Sequence, residues 1–436
     1  MKLRTYNSYK DTKVEWIGQI PSNWDSKKIK YLSPVKRGAS PRPIDDPKYF
    51  EQEGKFAWVR IADVSASGKY LINTTQAMSR LGSSLSVKLY PGELFLSIAG
   101  TVGKPCITNI NCCIHDGFVY FPKLAEEFRE YLFYVFESGQ PYKGLGKLGT
   151  QLNLNTQTVG DIIIPIPSEQ EIKKIIEFIR EADEGINKAI ILRRKQIETL
   201  QEYRDSLISE TVTRGLDPDV KMKDSGTEWI GLIPEHWELK KAKYIFKEIS
   251  KKNFPKEELL SVMKGRGLVP RKDIESGVVM AFKDLQNFKL VEPKEFVIHL
   301  RSFQSGFEYS KIRGIVSPAY TVFKNRYDVV SEYFKYMFYS KTFINVLSTL
   351  SLSLRDGKPI SFRDFGNMVL CLPPIKEQTK ISNYLVEKTN EIENTINKLS
   401  CQINTLEKYR QSLIYEAVTG KTDVRNYKQS DLEVKI

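Results

Sequence analysis

Two nearly identical phrases, EWIGQIPSNW from Glu15 to Trp24 and EWIGLIPEHW from Glu228 to Trp237, stand about 213 residues apart in a chain of 436. Each opens a block that closes on a related charged segment, TLQEYRDSLISETVTRG (Thr199 to Gly215) in the first and TLEKYRQSLIYEAVTGK (Thr405 to Lys421) in the second. A tandem duplication therefore covers almost the whole chain, and two like halves tend to arrange themselves about a pseudo-twofold axis. A partner with twofold character of its own, such as duplex DNA, suits that arrangement. Each half is long enough to bury its own core.

The formal net charge is +13 and the pI about 9.2, which favours a polyanionic partner, although an acidic protein would answer the same excess. No apolar run approaches the ~20 residues of a membrane span, and MKLRTYNSYKDTK lacks the apolar core of a signal peptide, so a cytoplasmic protein without a membrane partner is expected. The cysteines (Cys106, Cys112, Cys113, Cys371, Cys401) include no CxxC pair, and the histidines are His115, His236 and His299. That set supports neither a disulfide framework nor a metal site.

Both halves run in the same order: the EWIG phrase, a β-rich region, a proline-rich hinge (IIIPIPSEQ ending at Gln170, LCLPPIKEQ ending at Gln378), then a long helix. Proline ends a strand yet fits a first helical turn, so the hinges mark where sheet yields to helix. Alternation and glycine punctuation predict strands in KFAWVRIADV (Lys55 to Val64), GELFLSIAG (Gly92 to Gly100) and FKLVEPKEFVIHL (Phe288 to Leu300). A short helix is expected before each hinge, over Glu126 to Ser138 and Ser331 to Ser348.

In the second long helix Leu385, Ile392, Leu399, Leu406 and Leu413 recur every seven residues, with Ile396 and Ile403 on the adjoining series. About 206 residues earlier the same seam reads Ile179, Ile186, Leu200 and Leu207 with Ile190 and Ile197, broken only by Arg193. Such narrow stripes pair as a coiled coil, and the twofold relation makes the pair antiparallel. The expected fold is α+β: two β-rich globular domains in tandem, separated by two long antiparallel coiled-coil helices, as a pseudo-twofold internal repeat. Its parts are a first domain (1–165), a central helix (166–215), a linker (216–226), a second domain (227–372), a C-terminal helix (373–420) and a tail (421–436). From Ile175 to Tyr203, or Ile381 to Tyr409, the rod spans roughly 42 Å, more than one turn of B-DNA at about 34 Å, so it could act as a ruler between two half-sites.

Catalytic motifs fail on spacing. AGTVGKP (Ala99 to Pro105) has too few residues between its glycines for a phosphate loop, and Pro105 follows its lysine. Asp45 with Glu53 and Lys55 is a chance-level nuclease imitation, SPAY (Ser317 to Tyr320) has no cofactor loop to accompany it, and no Ser/His/Asp set is defensible. What remains is recognition chemistry, in which Arg pairs with guanine and Asn or Gln with adenine. The DNA-contact candidates are Arg60, Lys104, Thr150, Gln151 and Asn153 in the first domain, and Arg266, Arg301, Gln304, Arg313, Tyr320, Arg355 and Lys358 in the second. Trp16, Trp24, Trp229 and Trp237, at repeat-equivalent places beside proline, read as packed anchors.

Over essentially its whole length the chain resembles the specificity subunit of type I restriction-modification systems. The doubled EWIG-x-IP-xx-W opening, the P-x-P-x-x-EQ and PP-x-x-EQ hinges and the doubled YR-x-SLI-x-E-x-VT ending carry the resemblance. GELFLSIAGTVGKP, GTQLNLN and LRSFQSGFEYSKIRGIVSPAY look like target-recognition sequences of that family. The resemblance implies a noncatalytic reader of double-stranded DNA whose two target-recognition domains each read half of a split, asymmetric site. It also implies docking of two methyltransferase subunits, which bind S-adenosylmethionine and flip out the adenine they methylate, and of restriction subunits that use ATP and Mg. No cofactor is expected on this chain. The segments Ser33 to Asp161 and Phe246 to Met368 differ strongly, as two unlike half-sites require.

The competing reading is a coiled-coil scaffold that binds an acidic protein without DNA specificity. A salt titration separates the two: a reader loses DNA affinity steeply as salt rises yet keeps its preference for one sequence, whereas a scaffold ignores DNA even at low salt.

Overall fold

Each EWIG phrase closes a turn between two short antiparallel strands, Tyr9–Asp11 with Gln19–Pro21 in the first half and Met222–Asp224 with Leu232–Pro234 in the second. The structure is a computed structural model, and it describes residues 4–143, 145, 154–274, 284–353 and 360–427. Gly18 and Gly231 complete the turns at φ +67° and +69°, a left-handed conformation that costs glycine nothing. Their N–H groups bond the carbonyls of Val14 and Thr227. The chain then runs out as Asp25–Lys28 or Glu238–Lys241, and each strand pairs antiparallel with its own hinge, Ile163–Ile166 or Val369–Leu372. The dissimilar segments thus leave from, and return to, one closed pair of strands.

Between those strands the halves differ. Residues 33–161 build a five-stranded sheet centred on Leu94–Ser97 and a four-stranded sheet ordered Gln76–Met78, Phe56–Val59, Cys112–Ile114, Val87–Leu89. Residues 246–368 build a four-stranded sheet ordered Phe246–Ile249, Thr321–Asn325, Phe296–Ile298, Glu308–Tyr309, and two hairpin-like pairs, Leu260–Met263 with Gly267–Pro270 and Lys289–Val291 with Gly314–Val316. Two expected elements break. The strand through KFAWVRIADV ends at Val59 because the Asp63 carboxylate accepts the Arg60 N–H (2.9 Å) and starts a helical turn, Ile61–Ala66. The helix over Ser331 to Ser348 divides into Ser331–Tyr339 and Lys341–Ser353, because Ser340 is extended and its hydroxyl caps the Phe343 N–H.

The long helices run over Glu169–Arg214 (46 residues) and Ile375–Val418 (44 residues), or ~69 and ~66 Å. The chain forms two compact units, a discontinuous one of residues 1–193 with 401–436 and a continuous one of 194–400. Each unit therefore holds the start of one long helix and the end of the other. In the first unit they are antiparallel: Arg193 Nε donates to Gln402 Oε1 (2.8 Å) and Arg410 pairs with Asp183 (2.8 Å). In the second, Ile208 and Val212 share a core with Ile381 and Leu385.

The heptad seam is largely out of water. Ile179, Ile186, Ile190, Leu385, Ile392, Ile403 and Leu413 are buried, while Ile197, Leu200, Leu207, Ile396, Leu399 and Leu406 are half-buried, as a seam only two helices wide requires. Arg193 interrupts the stripe and finds Gln402 instead of an apolar neighbour.

The duplication repeats bond by bond at the helix ends. Trp24 and Trp237, each 1% exposed, donate their indole N–H to Glu171 (3.0 Å) and Glu377 (2.9 Å), in the first turn of each unit's outgoing helix. Burial raises the Glu171 carboxyl, but the bonds from Trp24 and Ser168 outweigh it and hold the group below the usual carboxylate range. At the incoming helix, Tyr131 donates to the Val418 carbonyl (2.9 Å) and Tyr333 to the Val212 carbonyl (2.8 Å). Both helices end on glycine against the same tryptophans: a Cβ on Gly420 would lie 2.5 Å from Pro21 Cδ and one on Gly215 would lie 3.2 Å from the Trp237 ring. Beyond Gly420 the chain folds back onto the first unit, where Val424 is buried and the Tyr427 ring meets Phe178 edge-on.

Tyr131→Phe should destabilise its unit by about 1–3 kcal/mol, since it strands the buried Val418 carbonyl, and Tyr333→Phe by less, since the Cys371 thiol also reaches the Val212 carbonyl (3.4 Å). Denaturant unfolding reads this, and a change below ~0.5 kcal/mol in Tyr131→Phe, the level of an ordinary surface substitution, would show that the helix end does not depend on that hydroxyl.

Candidate nucleic-acid interface

In the first unit Arg60 sits just past strand Phe56–Val59, near the Asp63 carboxylate (3.8 Å) and hydrogen-bonded to Thr75. It borders a cavity of about 630 Å³ walled by Phe50, Trp58 and His115, with Gln76 and Asp45 as polar neighbours. Burial lowers the His115 pKa, so the ring is neutral near pH 7, and its Nδ1 accepts the Gly117 N–H. Aromatic walls beside a guanidinium and an amide can both stack on a base and bond its edge. Lys104 is placed differently: its ammonium donates to the carbonyls of Ser65 (3.1 Å) and Ser67 (2.7 Å), at the end of the helical turn Ile61–Ala66. Thr150, Gln151 and Asn153 lie outside the described residues.

In the second unit Arg266 sits in the turn between Leu260–Met263 and Gly267–Pro270. Glu308 is fully buried, and its carboxylate fixes that turn by accepting the N–H groups of Gly265 (3.0 Å) and Gly267 (3.1 Å) together with the Tyr339 hydroxyl (2.7 Å). Burial raises the Glu308 pKa, against the opposing pull of the bonds from Tyr339 and the turn. Glycine is needed at 267, where a Cβ would come 2.5 Å from the Tyr309 carbonyl oxygen. Arg266 and Gln304 border one cavity of about 660 Å³. Arg301 is exposed nearby in sequence, on the approach to the turn Ser302–Gln304.

The other predicted residues are engaged elsewhere. Arg313 pairs with Glu257 (2.9 Å) and Glu292 (3.1 Å), with its guanidinium over the Phe254 ring. Tyr320 is half-buried against a small core, and its carbonyl accepts Lys289. Arg355 and Lys358 lie outside the described residues. Lys264, Lys311 and Lys335, outside the set expected from the sequence, border the same cavity as Arg266. Lys335 had a visible signal: it is the sole cation in SEYFKYMFY, a helix otherwise crowded with aromatic rings.

Among the described residues no cluster of three or more His, Cys, Asp or Glu is placed to hold a metal ion, and no helix is long and apolar enough to cross a membrane.

Arg266→Ala should weaken DNA discrimination by about 1–3 kcal/mol at one half-site and leave unfolding unchanged. Arg313→Ala should instead lower stability with little effect on sequence preference. Competition binding with duplexes altered in one half at a time, alongside thermal melts, distinguishes the two, and the reverse pattern would exchange their roles.

Residues 21–198 match the family described as the type I restriction modification DNA specificity domain. The type I restriction enzyme MjaIX specificity subunit of Methanocaldococcus jannaschii is 24% identical over 97% of this chain and 98% of its own length. A solved chain titled for complex assembly and conformational transition of the type I R-M system superposes with a TM-score of 0.64 at 14% identity, covering 92% of this chain and 98% of that one. The last is a likeness of fold, extending over both halves. Residues 21–198 are thus similar to a type I restriction-modification DNA specificity domain, and the chain along its length is similar to a type I specificity subunit.

Proposed function

We propose that this chain reads a bipartite, asymmetric DNA sequence for a type I restriction-modification complex, each unit reading one half-site. The observation that carries this is one duplicated frame holding two unlike β-rich segments, 33–161 and 246–368, each returned to the frame by the same strand pair. A scaffold for an acidic protein would have no need of two different segments on identical mounts. The likeness to a specificity domain and to a specificity subunit supports a noncatalytic component that recognises DNA and assembles with the other subunits.

The finer reading is that two methyltransferase subunits dock on it, each bringing S-adenosylmethionine, and that restriction subunits bring ATP and Mg. The chain itself would bind no cofactor and would act in the cytoplasm. Helix length would set the number of base pairs between half-sites. Two units that each contain the start of one long helix and the end of the other support that reading, because neither helix can change length without altering both.

Single-molecule methylation mapping of cells with and without this gene should show one split motif that depends on it, and an unchanged methylome would reject the reading. Adding one heptad to each long helix should widen the gap and keep the letters. An unchanged gap would leave the readers in place and remove the ruler.

A further inference from the structure

The cavity of about 660 Å³ in the second unit has unbalanced charge. Arg204 and Lys341 share Asp205. Lys264, Arg266, Lys311 and Lys335 make no ion pair among the described residues, and Glu393 is the remaining acid in the lining. Lys335 is the unusual member. It is half-buried on an aromatic helix, its ammonium nitrogen 4.7 Å from the Tyr336 ring centre, and burial followed by the nearby Lys311 pushes its pKa below the usual lysine range. Glu393, Glu332 and Glu308 pull the other way without outweighing burial and without a direct ion pair among the described residues, and a bound anion would relieve the remaining cost.

The first unit shows what an internally satisfied version looks like. Counting from the paired tyrosines Tyr131 and Tyr333, the place of Lys335 is taken by buried Phe133 and that of Glu332 by Glu130. Glu130 binds both Lys69 and Arg180, so those cations are already neutralised within the protein. In the second unit the equivalent Glu332 instead accepts the Tyr309 hydroxyl, 2.9 Å away.

We infer that the cavity of the second unit seats one backbone phosphate of the duplex, held by Lys311 and Lys335 with Lys264 on the turn that Glu308 fixes, and that this unit carries the larger share of the salt-dependent affinity. The inference rests on the reading of the chain as a DNA reader. It adds a division of labour: at the place equivalent to this cavity the first unit neutralises Lys69 and Arg180 on Glu130, and the second keeps a cationic seat open. Glu308 is a positioning residue, acting through the turn rather than by contact.

The test uses the chain purified with its methyltransferase partner and two duplexes, one with the mapped target and one with the second half-site scrambled. Lys311→Gln with Lys335→Met should weaken binding to both duplexes by a similar factor, about five- to tenfold near 0.1 M salt, and flatten the slope of log affinity against log salt by about one, leaving the methylated letters unchanged. Glu308→Gln, which sets an amide donor against a turn N–H, should reproduce part of the slope change and lower the melting temperature. Should the double variant lose its fold, Lys311→Gln alone, at an exposed position, still reads the slope. Wild-type affinity and slope in these variants would overturn the inference while target preference in the unmodified protein upholds the reading beneath it. Weaker retention of the methyltransferase with unchanged DNA binding would also overturn it, by giving the cavity to a protein surface. Absence of any target preference in the unmodified protein would sink the underlying reading instead.

Discussion

Everything in this molecule depends on how each unit fastens the two long helices. A buried tryptophan holds the start of the outgoing helix through a carboxylate, Trp24 to Glu171 or Trp237 to Glu377. A buried tyrosine holds the end of the incoming helix through a carbonyl, Tyr131 to Val418 or Tyr333 to Val212. A two-helix seam is too narrow to bury its own apolar stripe, as half-buried Ile197, Leu200, Ile396 and Leu399 show. The helices therefore need the globular parts at both ends, and the globular parts need the helices to complete their cores.

That mutual need explains which residues the two halves share. The frame residues touch one another: the EWIG turn, the strand that pairs with the hinge, the Glu–Gln start of the helix and the VT ending are all within a few bonds of the Trp and Tyr attachments. The segments looped out between the paired strands meet the frame at their roots and through the short helices that carry Tyr131 and Tyr333, so the rest of each segment can diverge in sheet order while the frame stays constant. A reader of two unlike half-sites requires that separation of constant from variable.

The sequence made the frame legible because the duplication states it twice and because a seven-residue period has one physical meaning. Tryptophans beside proline read as anchors, and they are, but their indole partners Glu171 and Glu377 lie about 140 residues away and no local pattern pairs them. Within the variable segments the reading was weaker for a physical reason. A loop arginine looks the same whether it faces solvent or an acid, and only packing shows that Arg313 is engaged by Glu257 and Glu292 while Arg266 sits on a turn stiffened from beneath by Glu308. Lys104 likewise reads as a free cation until the carbonyls of Ser65 and Ser67 are placed around it. The break at Ser340 was hidden because both flanking segments are good helix formers, and a single cap decided the outcome.

The central claim is that one frame carries interchangeable readers, and a chimera tests it most directly. Replacing residues 246–368 with a second copy of 33–161, between the same paired strands, and mapping methylation in cells that carry only this version should give a motif made of two copies of the first half-site with the original gap. A well-folded chimera that still directs methylation to the original asymmetric motif would contradict the account.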